Sequence, residues 1–525
     1  MTDHSVTRWL QRRPAHPSER VGLRRLSCEA LPLVPQAVRR PSFDPRLLRP
    51  GILHIGCGNF HRAHQAVMTQ HAIECELSAA QRAHEAPQPP WGIVSTSLRT
   101  PATVRALQRQ QGLYTVLERG PDATSAEIVA TLTRLAFLPD EVNLLQACFT
   151  DPSIRIVTLT VTAAGYSIDP ATLRLDADHA DIQHDLRTAT SRTAIGLLVK
   201  GLAERRTSGA APPAIVSCDN MAANGRVLRQ ACIDFAALLD DTLADWIATE
   251  VQFPSTMVDR IVPATTEADR EEASAALGLL DAVPVSAEPF CQWVIERFDG
   301  PRPFWEAAGA EFVQNVAPWE SAKLRLLNGG HLALAYLGLL AGLHTVAEVA
   351  ADPAFGAFVL RFMLDEQRPT LPPVGQDLRA YARRLLDRWR NPGIVDQLAR
   401  VGRDGSTKLP ARLLDPLREN LQAGRPAPCT VLAIAAWMRC ATGHDGSGRL
   451  LPLRDPMAAR LRHLGRQVGG DPERLVDAFL GIAEIFGDDL PQHPLLRPTL
   501  VRAMIALQQG GARGAVADCL SGAMC

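Results

Sequence analysis

The apolar positions of this chain fall into two regimes. A short run, Gly51-Ile-Leu-His-Ile-Gly56, closes on a glycine and has the length of a buried strand. The stretch 61–77 that follows has helical spacing. Trp91–Ser97 predicts another buried strand, the β-branched run Ile154–Thr162 a strong one, and Ala214–Cys218 a short one. Between the last two, 192–205 carries Ile195, Leu197, Leu198 and Leu202 at helical spacing. Strands alternating with helices predict a parallel, doubly wound sheet. Beyond about residue 320 the strand signals nearly vanish, and 324–340, 355–365, 378–388, 430–440 and 474–486 read as helices. The fold class is therefore α/β: an N-terminal Rossmann-type doubly wound sheet and a mostly α-helical C-terminal domain. Residues 1–45, rich in Arg and Pro without a sustained period, predict a tail or surface-draped lead-in. The two domains are expected over 46–285 and 286–525, with the boundary falling between 285 and 320.

Length agrees with two domains, since 525 residues exceed one ordinary core. Hydrophobic residues at 46% and charged residues at 21% are ordinary for a globular enzyme. A formal net charge of -1 gives no global attraction to nucleic acid or an anionic membrane, and no basic patch with interleaved aromatics stands in the sequence. No apolar run of about 18 residues predicts a membrane span, and no h-region predicts secretion. The 11 cysteines are scattered without a C-x-x-C pair, which predicts reduced thiols in a cytoplasmic protein. Lysine is rarer: Lys200, Lys323 and Lys408 are the only three in the sequence, against 55 basic residues in all. Most positions needing only positive charge carry arginine, so a surviving lysine marks a place where loss of a proton has value.

Two segments carry candidate chemistry. Gly56-Cys57-Gly58-Asn59-Phe60-His61 follows the first strand and opens a helix, as a dinucleotide-binding turn does. Its third glycine position is His61. After the second strand, Ser97-Leu98-Arg99-Thr100-Pro101-Ala102 offers no acid for ribose hydroxyls, and Arg99 could meet a 2′-phosphate, so NAD and NADP both stay open. The second segment is Glu320-Ser-Ala-Lys323-Leu-Arg-Leu-Leu-Asn328-Gly-Gly-His331. At about 100° per residue, Glu320, Lys323, Asn328 and His331 share one face of a leucine-rich helix. Gly329-Gly330 weakens that helix by about 1 kcal/mol per glycine, which predicts close approach of another group. Alcohol oxidation needs a base beside the reacting carbon. Lys323 can supply it, Asn328 can donate to the developing alkoxide, and His331 can bond a substrate hydroxyl. No Cys/His/Glu cluster offers a zinc site, so no metal is expected. A nucleotide-binding sensor without chemistry would have lost the lysine or the asparagine. A lysine base predicts faster oxidation at alkaline pH.

At these residues the chain resembles the mannitol dehydrogenase family of long-chain polyol dehydrogenases, which includes fructuronate reductase. The landmarks span about 26–520: Gly56-x-Gly58-x-Phe60-His61-Arg62-Ala63-His64, Ser217-Cys218-Asp219-Asn220, 253–261 (Phe-Pro-Ser-Thr-Met-Val-Asp-Arg-Ile), Glu288-Pro289-Phe290-x-Gln292-Trp293-Val294, Lys323-x4-Asn328-x2-His331 and Asp404-Gly405-Ser406-x-Lys408. The resemblance implies a lysine base without metal, which is Lys323, with Asn220 and Asn328 holding the reacting oxygen. It implies His331, Arg400, Lys408 and Asp259 at the substrate, Glu320 passing protons to and from the lysine, and Gly56, Gly58, Asn59, Phe60 and Arg62 at the cofactor. It also implies a small-molecule partner only and a monomer or weak oligomer. The family pattern departs at Pro101 and Ala102, where an acid favouring NAD is usual, and in Thr162-Ala163-Ala164-Gly165-Tyr166, which lacks a glutamate after the threonine. The implied reaction is hydride exchange between NAD, or NADP, and C2 of a sugar alcohol, of the mannitol 2-dehydrogenase type (D-mannitol/D-fructose). Lys408-Leu-Pro-Ala-Arg-Leu-Leu-Asp-Pro leans instead to the fructuronate reductases (D-mannonate/D-fructuronate), and Gln397-Leu-Ala-Arg-Val401 back to mannitol.

Overall fold

A computed structural model describes residues 22–84, 91–444, 448–451 and 454–523. The chain divides into two compact units at Ala317/Pro318. Eleven strands precede that division among the described residues: β1 (Arg49–Ile55), β2 (Trp91–Ser97), β3 (Tyr114–Arg119), β4 (Thr124–Val129), β5 (Leu132–Phe137), β6 (Ile156–Leu159), β7 (Ala214–Ser217), β8 (Thr256–Asp259), β9 (Val285–Ala287), β10 (Gln292–Glu296) and β11 (Glu311–Val313). The segment 286–317, read from sequence as part of the helical domain, thus supplies β10 and β11 to the first unit.

The first unit is built on a parallel sheet of order β5-β2-β1-β6-β7. The order reverses between β1 and β6, so their carboxyl ends flank a topological switch point, where ligands of doubly wound sheets bind. Alternation along the strands feeds two cores. Leu53, Ile55, Val157, Leu159 and Ile215 enter one, while Ile52, Ile93, Ile156, Ala214 and Val216 enter the other. Two small sheets, β11-β10-β8 and β4-β3-β9, complete the unit. The β-branched run predicted as a strand to Thr162 leaves the ladder after Leu159. The helix predicted over 61–77 is two helices, Asn59–Ala63 and Gln65–Ala83, broken at His64 (φ -122°, ψ -86°).

The described part of the lead-in is packed rather than draped. Leu26, Ala30, Val34 and Val38 are buried with Leu113, Ile128, Leu277 and Leu279 in a satellite core, and the Leu26 amide donates to Leu280 at 3.0 Å. Residues 1–21 lie outside the described residues.

The second unit is helical. Its core joins Gly329–Leu340, Pro353–Arg361, Leu378–Trp389, Pro428–Ala441, Pro472–Leu480 and the helical stretch Leu496–Ser521, which is broken at Gly511 (φ +61°, ψ -172°). Helix 324–340, predicted as one regular element, is instead a π-helical segment, Lys323–Asn328, followed by α-helix. Two more π segments, Phe362–Gln367 and Pro410–Leu414, pack against the first. Among the described residues no helix is long and apolar enough to cross a membrane.

Candidate functional site

The loop after β1 is shaped by its two glycines for different reasons. Gly56 has φ +110°, and a Cβ there would collide with the carbonyl oxygen of Thr160 at the end of β6, so only glycine fits. Gly58 is exposed and caps Asn59–Ala63. A Cβ on it would meet nothing nearer than Gly56 O at 3.8 Å, which leaves backbone open to a ligand. The amides of the first helical turn have no partner four residues back within their helix, so this corner suits an anion such as a pyrophosphate. The residues therefore fit a dinucleotide.

Buried polar groups brace the loop from below. His54 on β1 places Nδ1 2.8 Å from Thr158 Oγ1 and Nε2 2.9 Å from Gly56 O. A carbonyl can only accept, so Nε2 carries the proton and Nδ1 accepts from the threonine. Burial lowers His54 to about 3 and holds it neutral. His61 stacks on it with ring centroids 3.3 Å apart and is also pushed well down, chiefly by burial, with the Arg62 charge adding to it. Arg62 is buried beside Tyr114 and donates to Val283 O and, at 2.7 Å, to Asn59 Oδ1. Asn59 in turn donates to Thr265 Oγ1 at 3.0 Å. Of the cofactor residues read from sequence, Asn59 and Arg62 thus spend their side chains tying the loop to 263–283, whereas Phe60 is half-buried against His64.

Across the switch point, Thr162 adopts φ +68° and ψ 160°, a conformation costly for a β-branched residue. Asp219, after β7, holds it there: its carboxylate accepts from Thr162 N at 2.7 Å, Val161 N at 3.2 Å and Tyr166 Oη at 2.9 Å. Burial raises the Asp219 pKa against those bonds. Asn220 follows on the exposed side, and Asp259 is buried at the end of β8, paired in register with Gln292. Thr162 and Asp219 gave no signal of strain in the sequence, since a backbone angle and its anchor exist only once β6 and β7 are neighbours.

In the second unit Lys323 opens the π segment and is 8% exposed, and His331 is 9% exposed on the α-helix that follows. Glu320 and Asn328 are half-buried. The amide of Gly329 reaches back five residues to Leu324 O, so the face inferred at 100° per residue is redrawn by the wider turn. Such π turns recur at functional sites because they re-aim a few side chains without ending the helix. The glycine pair admits neighbours, as its cost implied. A Cβ on Gly330 would lie 2.6 Å from the Trp389 ring and one on Gly329 3.1 Å from Arg412 O. Trp389 also packs 5.0 Å from the His331 ring. Arg325 fastens the segment outward through Glu419 at 2.7 Å.

Arg400 and Lys408 lie on neighbouring short helices, Leu398–Val401 and Gly405–Leu409. Arg400 donates to Asp396 at 2.7 Å and is largely exposed. Lys408 donates to Arg403 O at 2.5 Å. Burial lowers the Lys408 pKa, and Arg412, Arg403 and Arg400 lower it further, with Asp404 opposing. Arg412, absent from the residues singled out in the sequence, belongs to this cluster. Its signal was the four-residue spacing from Lys408.

A family description for the mannitol dehydrogenase Rossmann domain matches residues 50–307, and one for the mannitol dehydrogenase C-terminal domain matches residues 315–508. The chain is 41% identical over 488 residues to the D-mannonate oxidoreductase of Escherichia coli (strain K12), covering 91% of this chain and 98% of the relative. It is 39% identical over 485 residues to the mannitol 2-dehydrogenase of Cereibacter sphaeroides, covering 91% and 98%. Among solved structures it is similar to the Pseudomonas fluorescens mannitol 2-dehydrogenase in ternary complex with NAD and D-mannitol, at 36% identity and a TM-score of 0.77, over 95% of this chain and 99% of that one. With both halves of the fold matched in order and over nearly their whole lengths, this chain belongs to the mannitol dehydrogenase family.

Proposed function

We propose that this chain catalyses the reversible NAD-dependent oxidation of the C2 carbinol of a six-carbon sugar alcohol or sugar acid, with Lys323 as the base. The observation that carries the reading is a buried lysine at a π turn, followed on the same run by Asn328 and His331, in a chain that also folds a dinucleotide loop. NAD is the cofactor by likeness to the structure solved with it, and exposed Arg99, beyond β2, keeps NADP in the test. The Gly56–Gly58 loop would hold the dinucleotide by its pyrophosphate, and the bound nicotinamide would supply the two-electron acceptor.

The protein's residues do the rest. Lys323 Nζ takes the hydroxyl proton as carbon gives up its hydrogen, and Glu320 passes that proton onward. The Asn328 and Asn220 amides donate to the oxygen as it gains negative charge, which lowers the barrier only if they are fixed beforehand. His331, held against Trp389, orients a neighbouring hydroxyl. Arg400, Lys408 and Asp259 bind the remainder of the chain. No metal is needed in this scheme because an amine performs the proton transfer. The relatives leave two substrate ends, a hydroxymethyl as in mannitol and a carboxylate as in mannonate. We further place the protein in the cytoplasm, as a monomer or weak oligomer, which its mass in gel filtration with light scattering would check.

The test is Lys323→Ala in the full chain. Turnover of the better substrate is expected to fall at least about 10³-fold, while NADH still binds by fluorescence titration and the melting temperature is retained. Full turnover by the variant would refute the reading.

A further inference from the structure

Buried charges in proteins are nearly always paired, because removing an ion from water without a partner costs more than most single contacts return. Arg412 departs from that rule. It sits midway along the π segment Pro410–Leu414, half-buried, and among the described residues no carboxylate lies within ion-pair distance of its guanidinium. Lys408, one turn earlier, bonds a main-chain carbonyl instead of an acid. Burial, and after it the Arg412 charge, depress the Lys408 pKa, with Asp404 opposing. Burial also draws Arg412 below its ordinary value, though it remains charged at any working pH.

The placement of this cationic pair gives it meaning. The backbone of Arg412 abuts Gly329, whose absent Cβ would lie 3.1 Å from Arg412 O. Gly329 directly follows Asn328, so the pair is carried on the segment packed against the turn that presents Lys323 and Asn328. Both belong to the second unit, so the relation is fixed within one compact body. Asp404 acts on Lys408, so a neutral polyol would leave Arg412 as the half-buried cation without an anion. A carboxylate offers two coplanar oxygens that fit the guanidinium fork, with the lysine as a point charge beside it.

We infer that Arg412 and Lys408 form a subsite for the terminal carboxylate of the substrate, so that the enzyme is a sugar-acid dehydrogenase in preference to a polyol dehydrogenase. This rests on the carbinol oxidation proposed above and names the substrate class for that same site. Arg412 is the specificity-determining member because only it supplies the planar fork.

The experiment measures kcat/KM of the full-length enzyme for D-mannonate, D-mannitol and D-mannitol 1-phosphate, each with NAD and NADP, in the wild type, Arg412→Met and Arg412→Lys. The wild type is expected to prefer mannonate. The mannonate-to-mannitol ratio should fall about 100-fold in Arg412→Met, chiefly through KM for the acid, and about tenfold in Arg412→Lys. A wild type that prefers mannitol overturns the inference and leaves the carbinol reading intact, and a preference for the phosphate ester overturns the carboxylate assignment. An unchanged ratio in Arg412→Met likewise overturns it. Turnover of none of the three overturns the carbinol reading and the inference with it. The wild-type panel decides even where a variant fails to fold.

Discussion

Single residues in this protein are legible in sequence where their chemistry is local, and illegible where a neighbour defines them. Gly330 is an instance of the first kind. Its cost to the helix predicted an intruding group, and the Trp389 ring is that group. Replacing it with alanine gains about 1 kcal/mol of helix propensity but forces a methyl into a ring atom 2.6 Å away, and overpacking of that kind costs about 1–3 kcal/mol. The clash outweighs the gain, so Gly330→Ala is expected to lower unfolding free energy by up to about 2 kcal/mol in urea denaturation. It should also lower kcat, because the ring that must shift is the one against His331. Gly514→Ala is the matching control. It lies three residues past the break at Gly511 in Leu496–Ser521, with nothing within 4 Å of its would-be Cβ, so propensity acts alone and stability rises by at most about 0.5–1 kcal/mol. Arg412 is of the second kind: its role depends on which acids are missing around it, and an absence in three dimensions leaves no mark on one sequence.

At the scale of elements, β1, β2, β6 and β7 of the parallel sheet, though not β5 with its Arg134, stood out because burial on both faces selects short runs of apolar and β-branched residues. Strands β3, β4 and β8–β11 did not. They are short, several are interrupted by charges such as Glu118, Glu127 and Glu296, and β9 finds its partner β3 only far back along the chain. The helices near 324–340, 355–365, 378–388, 430–440 and 474–486 were legible in position, Leu496–Ser521 was missed, and helix type was illegible, since an apolar stripe changes little when one turn widens from α to π. The three packed π segments are where this matters, and Glu366 in the second of them shows what holds them. Its carboxylate accepts at 2.7 Å from Cys429 N, Thr430 N and Thr430 Oγ1 at the start of Pro428–Ala441. Burial raises its pKa, yet those three donors and the helix dipole favour the charged form. Glu366→Gln relieves the desolvation but turns an NH2 group toward a donor that then has no acceptor. The unmatched donor costs about 1–3 kcal/mol, so the variant is expected to lose about 2 kcal/mol in denaturant unfolding with its slope m unchanged.

For the whole molecule, the two units have separate cores and differ in what acid does to them. The first holds His54 and His61 stacked beneath the cofactor loop, both driven below their ordinary pKa by burial, His54 to about 3. In the unfolded chain each would titrate near 6.5. Between that value and the folded one, the unfolded state binds a proton at each histidine that the folded state refuses, so stability is fully present above about pH 6.5 and is lost as pH falls. Each histidine contributes a slope of about 1.4 kcal/mol per pH unit, and the pair about twice that. Carboxylates with lowered pKa values, such as Asp269 at about 2, add their share only below the unfolded value of 3.8. Calorimetry from pH 7 to pH 5 lies above that value, and the transition of the first unit is expected to fall over this window, with Asp219, whose pKa burial raises, opposing the fall in part. His61→Asn, which leaves the His54 bonds to Thr158 and Gly56 in place, should remove about half the slope. It should also loosen NADH, measured by fluorescence titration, because the stacked ring supports the turn on which Gly56 and Gly58 stand. A slope equal to that of the wild type would show that His61 is protonated in the folded protein and that the stacked pair does not make the fold acid-labile.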